Sequence, residues 1–119
     1  MDGSLEPWDE AREKCRENGG VLAMPQTAED ISFIRGIYSN DKRINALWLG
    51  ARYQEDVWMW VDGKEMDRQM FEYGEPSGTN IKNCLAMSVK EKGAAGYKCA
   101  SKKRFLCEYR AKKQCVIKN

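Results

Sequence analysis

Residues 46–63, ALWLGARYQEDVWMWVDG, are where the chain changes from helical to extended patterning. Leu47-Trp48-Leu49 is a short apolar run closed by Gly50. Val57-Trp58-Met59-Trp60-Val61 is rich in strand formers and ends at Asp62-Gly63, a strong turn signal. Strand alternation makes Trp58 and Trp60 face the same side, next to the Trp48 run, so these indoles read as core rather than as sugar-stacking platforms. Downstream, residues 84–89, 96–99 and 104–109 read as three further strands. Upstream, Pro7 opens a first helix with Trp8, Ala11 and Cys15 on one face, and Gly19-Gly20 supplies its left-handed stop. Trp8 reads as a helix-to-sheet anchor. Thr27 with Asp30 resembles a capping box, and Ile31, Ile34 and Ile37-Tyr38 form the stripe of a second helix that Gly36 weakens. Both apolar faces are expected on a common core. Two helices followed by a run of strands predict an α+β domain.

The bulk properties agree with one domain. The chain has 119 residues, 20 Lys+Arg against 18 Asp+Glu and a net charge of +2, which gives no general drive toward nucleic acid or anionic membrane. The basic clusters at residues 98–104 and 110–113 read first as solvated surface. No apolar stretch reaches the roughly 20 residues of a membrane helix. Residues 1–4 carry no signal-peptide pattern and read as a start codon plus cloning scar, with the natural chain continuing upstream. The chain has five cysteines, no CxxC pair and no histidine. Zinc therefore has little to bind, and disulfides in an extracellular compartment are the better reading. Sequence arithmetic alone leaves several pairing schemes open.

Six motifs then stand in one order: Trp8-x-x-Ala11-x-x-x-Cys15, Trp48-Leu49-Gly50, Trp58-x-Trp60-x-Asp62-Gly63, Gly74-Glu75-Pro76-Ser77, Asn83-Cys84 and Phe105-Leu106-Cys107-Glu108. Together they resemble the C-type lectin-like domain family over residues 5–110, leaving 111–119 as a basic tail. The resemblance implies an α+β fold with two helices flanking small antiparallel sheets, a long irregular loop and two disulfides, Cys15–Cys107 and Cys84–Cys99.

The resemblance also implies where a calcium-dependent sugar site would lie. Calcium takes roughly six to eight oxygens, mostly carboxylate and amide. Family members that bind sugar through it carry E-P-N or Q-P-D, an acidic residue before the next cysteine, and W-N-D upstream of the one after. Here the first motif is Glu75-Pro76-Ser77. The acidic position falls on Lys82, and W-N-D becomes Ala94-Ala95-Gly96. An ammonium repels a divalent cation and attracts a carboxylate, so Lys82 is expected to replace the metal by pairing with Glu75. Glu75, Ser77, Lys82, Ala95 and Gly96 thus read as a vestigial site, with no cofactor. Asp67, Glu72, Asn80 and Asn83 remain as oxygen donors for a displaced calcium.

Residues 64–82 form a long loop, and long ordered loops tend to be functional. Met66, Met70, Tyr73 and Asn80 are its candidate ligand surface, and Phe71 reads as a plug onto the core. The expected function is an extracellular, calcium-independent module that recognises a protein partner. The alternatives are a carbohydrate-binding lectin, through a nonstandard calcium site or through basic residues on an anionic glycan, and a purely structural module. Cys115 is left to pair with an upstream segment or with a second chain as a disulfide-linked dimer. With no histidine, phosphate loop or nucleophile elbow, an enzyme is the poorest reading.

Overall fold

The computed structural model describes residues 2–67, 76–90 and 93–109. Its elements are β1 (Asp2–Glu6), α1 (Trp8–Glu17), β2 (Val21–Leu22), α2 (Ala28–Tyr38), β3 (Ala46–Gln54), β4 (Val57–Trp60), β5 (Cys84–Ser88), β6 (Ala94–Tyr97), β7 (Lys103–Phe105) and β8 (Cys107–Glu108). The main sheet runs β1-β7-β3-β5-β6, with β4 also paired to β3, and β2 pairs β8 in a second sheet. All pairs are antiparallel except β3 with β7. The main sheet is therefore mixed rather than purely antiparallel. Residues 2–4, set apart from the domain in the sequence reading, belong to β1, which pairs with β7.

Both helices form where their end signals stand. Pro7 is the N-cap of α1 rather than its first residue, and its carbonyl accepts the Ala11 N–H at 2.9 Å. At the other end Gly19 takes φ +85°, and Gly19 and Gly20 donate to the carbonyls of Arg16 and Cys15. Thr27 caps α2 by accepting the Asp30 N–H at 3.1 Å, while the short Asp30 carboxylate reaches the N–H of Gln26.

The two helices do not share one core. Successive strand residues point to opposite faces, so β3 sends Trp48 to one side and Leu47, Leu49 and Ala51 to the other. Trp48 joins Trp8, Ala11 and Cys15 of α1, with Ala86 and Phe105. Leu47 and Leu49 join Ile31 of α2, Trp58, Trp60, Leu85 and Met87. Hence Trp58 and Trp60 do share a face, but Trp48 lies on the opposite one. On α2 the stripe is narrower than expected: Ile31 is buried, Ile34 and Tyr38 pack at its edge, and Ile37 is 54% exposed.

The core reading of the tryptophans holds. Trp8, Trp48, Trp58 and Trp60 are all buried. The indole N–H groups of Trp8, Trp48 and Trp58 donate to the carbonyls of Leu49, Glu6 and Pro76 at 2.8, 2.8 and 2.9 Å. A buried indole with its donor satisfied serves packing. Gly50 does not close the strand, because β3 continues to Gln54. A Cβ there would lie 2.8 Å from the Leu22 carbonyl oxygen, so glycine is what lets β2 cross.

Two disulfides staple this arrangement. Cys15–Cys107 ties α1 to β8 across 92 residues, and Cys84–Cys99 closes the stretch that holds β5 and β6.

Candidate functional site

The long loop leaves β4 by a short return. Gly63 donates to the Trp60 carbonyl, Glu65 bridges Met59, and the Met66 N–H donates to the Trp58 carbonyl at 3.0 Å. That last bond turns the Met66 side chain inward, where it is 4% exposed within the α2-side core. Met66 is therefore a packing residue and not part of the ligand surface. Its apolar neighbours outweigh the position in a polar stretch that had marked it as exposed.

Four of the five positions assigned to the vestigial site converge. Ser77 forms a parallel bridge with Ala95, and its carbonyl accepts the Gly96 N–H at 2.8 Å. Thr79 Oγ1 accepts the N–H groups of Ile81 and Lys82 at 3.2 and 2.9 Å, and the Thr79 N–H donates to the Lys82 carbonyl. This self-bonded turn presses the Lys82 backbone against β6. A Cβ at position 96 would lie 2.2 Å from the Lys82 carbonyl oxygen and 3.1 Å from that of Ser77. Asn83 accepts the Tyr53 N–H through its carbonyl at 2.9 Å, and Cys84 then enters β5.

In the described part of this crevice the Ser77 hydroxyl, the Asn80 amide and the Lys82 ammonium are exposed, Asn83 is half-buried with its Oδ1 3.2 Å from Cys99 Sγ, and position 96 carries no side chain. Among the described residues no three His, Cys, Asp or Glu cluster within reach of one metal ion. Glu75, Met70, Phe71, Glu72, Tyr73 and Cys115 lie outside the described residues. Asn80 is exposed, and Ile81 beside it is 69% exposed. In the sequence Ile81 stands out as an isoleucine inside a polar loop, three residues before a buried cysteine.

A family model for the lectin C-type domain matches residues 4–109. The chain belongs to this family. C-type lectin domain family 3 member A of Mus musculus is 28% identical over 109 residues, which cover 88% of this chain and 56% of that protein. The chain thus spans about half the length of that relative. The mouse scavenger receptor C-type lectin carbohydrate-recognition domain superposes with TM-score 0.76 at 19% identity, over 90% of this chain and 83% of that one. A calcium-dependent type II antifreeze protein, in its calcium-free form, gives TM-score 0.70 at 26% identity over 87% and 84%.

As a C-type lectin domain the chain is a recognition module of a non-enzymatic binding family whose members bind glycans or proteins. Disulfide-bearing domains of this kind are typically extracellular or at the cell surface. Among the described residues no helix is long and apolar enough to cross a membrane.

Lys103 and Arg104 of the basic stretch of this C-type lectin domain make contacts of their own. Lys103 lays its ammonium 3.9 Å from the Tyr97 ring centroid and 5.5 Å from that of Trp48, and burial lowers its pKa. Arg104 turns to the other face, where its Nε–H donates to the Arg43 carbonyl. Lys98 and Lys102 stay exposed.

Proposed function

We propose that this C-type lectin domain is an extracellular module that recognises a protein partner without calcium, through the surface of its long loop. The observation that carries the reading is the contact at Gly96. The backbone of Lys82 occupies the space a side chain would need at the position where the calcium-binding pattern has its aspartate. In this reading Lys82 extends its ammonium beside the Glu75 carboxylate, where a family member with the full ligand set holds the metal. The exposed Asn80 and Ile81, with Met70 and Tyr73, provide the partner's contact surface. An amide beside an isolated apolar side chain suits an interface with apolar anchors and polar surroundings.

The test is isothermal titration with calcium, paired with a glycan array run in calcium and again in chelator. The expected result is no calcium site of low-millimolar affinity or better and no calcium-dependent glycan signal. A site in that range which Glu75→Ala abolishes overturns the reading. It would favour instead a carbohydrate-binding lectin with a displaced calcium, the alternative supported by the 26% identity to a calcium-dependent relative.

We also propose that Cys115 pairs outside the domain, since the other four cysteines are joined to one another. Non-reducing electrophoresis of the protein is expected to show a dimer band that disappears in Cys115→Ser. A monomer band alone, with Cys115 reactive to a thiol probe, rejects it.

A further inference from the structure

On the α1 side of β3, away from the long-loop crevice, two arginines share one ring. The guanidinium carbons of Arg12 and Arg52 lie 5.9 and 5.5 Å from the Trp8 ring centroid. Neither side chain makes an ion pair or hydrogen bond with the described residues, and Arg52 Nε–H is buried with no acceptor. Both arginines line a cavity of about 280 Å³, with Gln54 as the other polar side chain and Trp8, Met59 and Trp60 among its walls. Among the described residues no carboxylate lines it.

Packing alone does not account for this arrangement. The stem of a long side chain can shield a tryptophan, but methionine or leucine would do so without burying a charged donor. An unpaired buried donor costs on the order of 1–3 kcal/mol, and two guanidiniums on one ring also repel each other. A guanidinium held by cation–π attraction within about 6 Å of an aromatic ring keeps N–H groups for an oxyanion. The strand register supports a dedicated site. Arg52 and Gln54 alternate with Tyr53, whose ring meets that of Trp58 at a tilt of 59° with centroids 5.3 Å apart on the opposite face.

We infer that this cavity binds a small oxyanionic group, sulfate or carboxylate, held between Arg12 and Arg52. The volume lies just under the roughly 300–1,000 Å³ usual for small-molecule sites. That admits an anion or a single acidic sugar ring and excludes a longer glycan from full enclosure. The inference stands apart from the long-loop reading, since it uses none of that loop's residues.

The test is a nitrogen-15 NMR titration of the domain at constant ionic strength, with sodium sulfate in one arm and sodium glucuronate in the other. Chloride and glucose serve as controls. The expected result is saturable movement of the Arg52 Nε–H and Trp8 Nε1–H signals in at least one arm, and the arm that saturates first tells sulfate from carboxylate. Arg12→Gln and Arg52→Gln are each expected to weaken binding about tenfold or more, as loss of charge-assisted bonds requires. Arg12→Lys, which keeps the charge but not the fork, is expected to fall between. A dispersed spectrum in each variant shows that it is folded. Shifts no larger than those with chloride and glucose, or an affinity unchanged in both glutamine variants, overturn the inference.

Discussion

Replacing Cys15 and Cys107 together by alanine lowers the unfolding free energy by about 4–5 kcal/mol, the larger of the two disulfide effects. The bond closes a loop of 92 residues, so its loss releases far more of the unfolded chain than loss of Cys84–Cys99, which spans 15 and is worth about 3 kcal/mol. Its position adds to the effect. Cys15 is fully buried on the inner face of α1, and Cys107 lies in β8, whose only strand partner among the described residues is the two-residue β2. Without the bond, the described links between the β2 and β8 segments are two residue pairs, the Ala23 N–H to Leu106 carbonyl bond and the Met24 N–H to Glu108 Oε1 bond. Alanine rather than serine keeps a hydroxyl out of the apolar site at position 15. Domain stabilities of about 5–15 kcal/mol mean that the variant approaches the limit of folding. Urea unfolding of oxidised wild type, the double alanine variant and the Cys84→Ala/Cys99→Ala pair checks it. A loss below about 1 kcal/mol in the first pair contradicts the expectation.

The ordered motifs made the fold legible because each marks a local necessity: a cap, a turn, a buried indole or a crosslink. Thr27, Gly19 and Asp62-Gly63 act within a few residues, and their effects can be read without knowing the rest of the chain. Features set by distant partners were not legible. Gly50 read as a terminator, yet the crossing of β2 decides its role, since only glycine fits against the Leu22 carbonyl. The Glu55-Asp56 turn adopts positive φ at both residues, 52° and 69°, with none of the glycine or asparagine that usually announces it. There the pairing of β3 with β4 overrides local preference. At the crevice, residue types were legible at each position of the calcium-binding pattern. They could not show that the Lys82 carbonyl lies where a Cβ at position 96 would stand, nor that Arg12 and Arg52, 40 residues apart in sequence, both approach the Trp8 ring.

Gly96→Asp puts back the carboxylate that the calcium-binding pattern has at this position, and it is expected to destabilise the domain by about 1–3 kcal/mol without creating calcium affinity. The new Cβ would meet the Lys82 carbonyl oxygen at 2.2 Å, and that oxygen belongs to backbone rather than to a side chain that could swing away. Relief requires β6 to shift or the Thr79–Lys82 turn to open. A shift of β6 breaks the Gly96 N–H bond to the Ser77 carbonyl, and opening the turn breaks the bonds to Thr79 Oγ1. Either route dismantles the crevice in which a metal would sit. Gly96→Ala separates the causes, because it adds the Cβ without the charge. If overlap dominates, alanine produces most of the loss, and calcium restores stability to neither variant. The contrary result would be Gly96→Asp at wild-type stability with a melting temperature that rises with millimolar calcium. That would mean Lys82 can vacate the position at little cost, leaving room for a metal and overturning metal-free recognition.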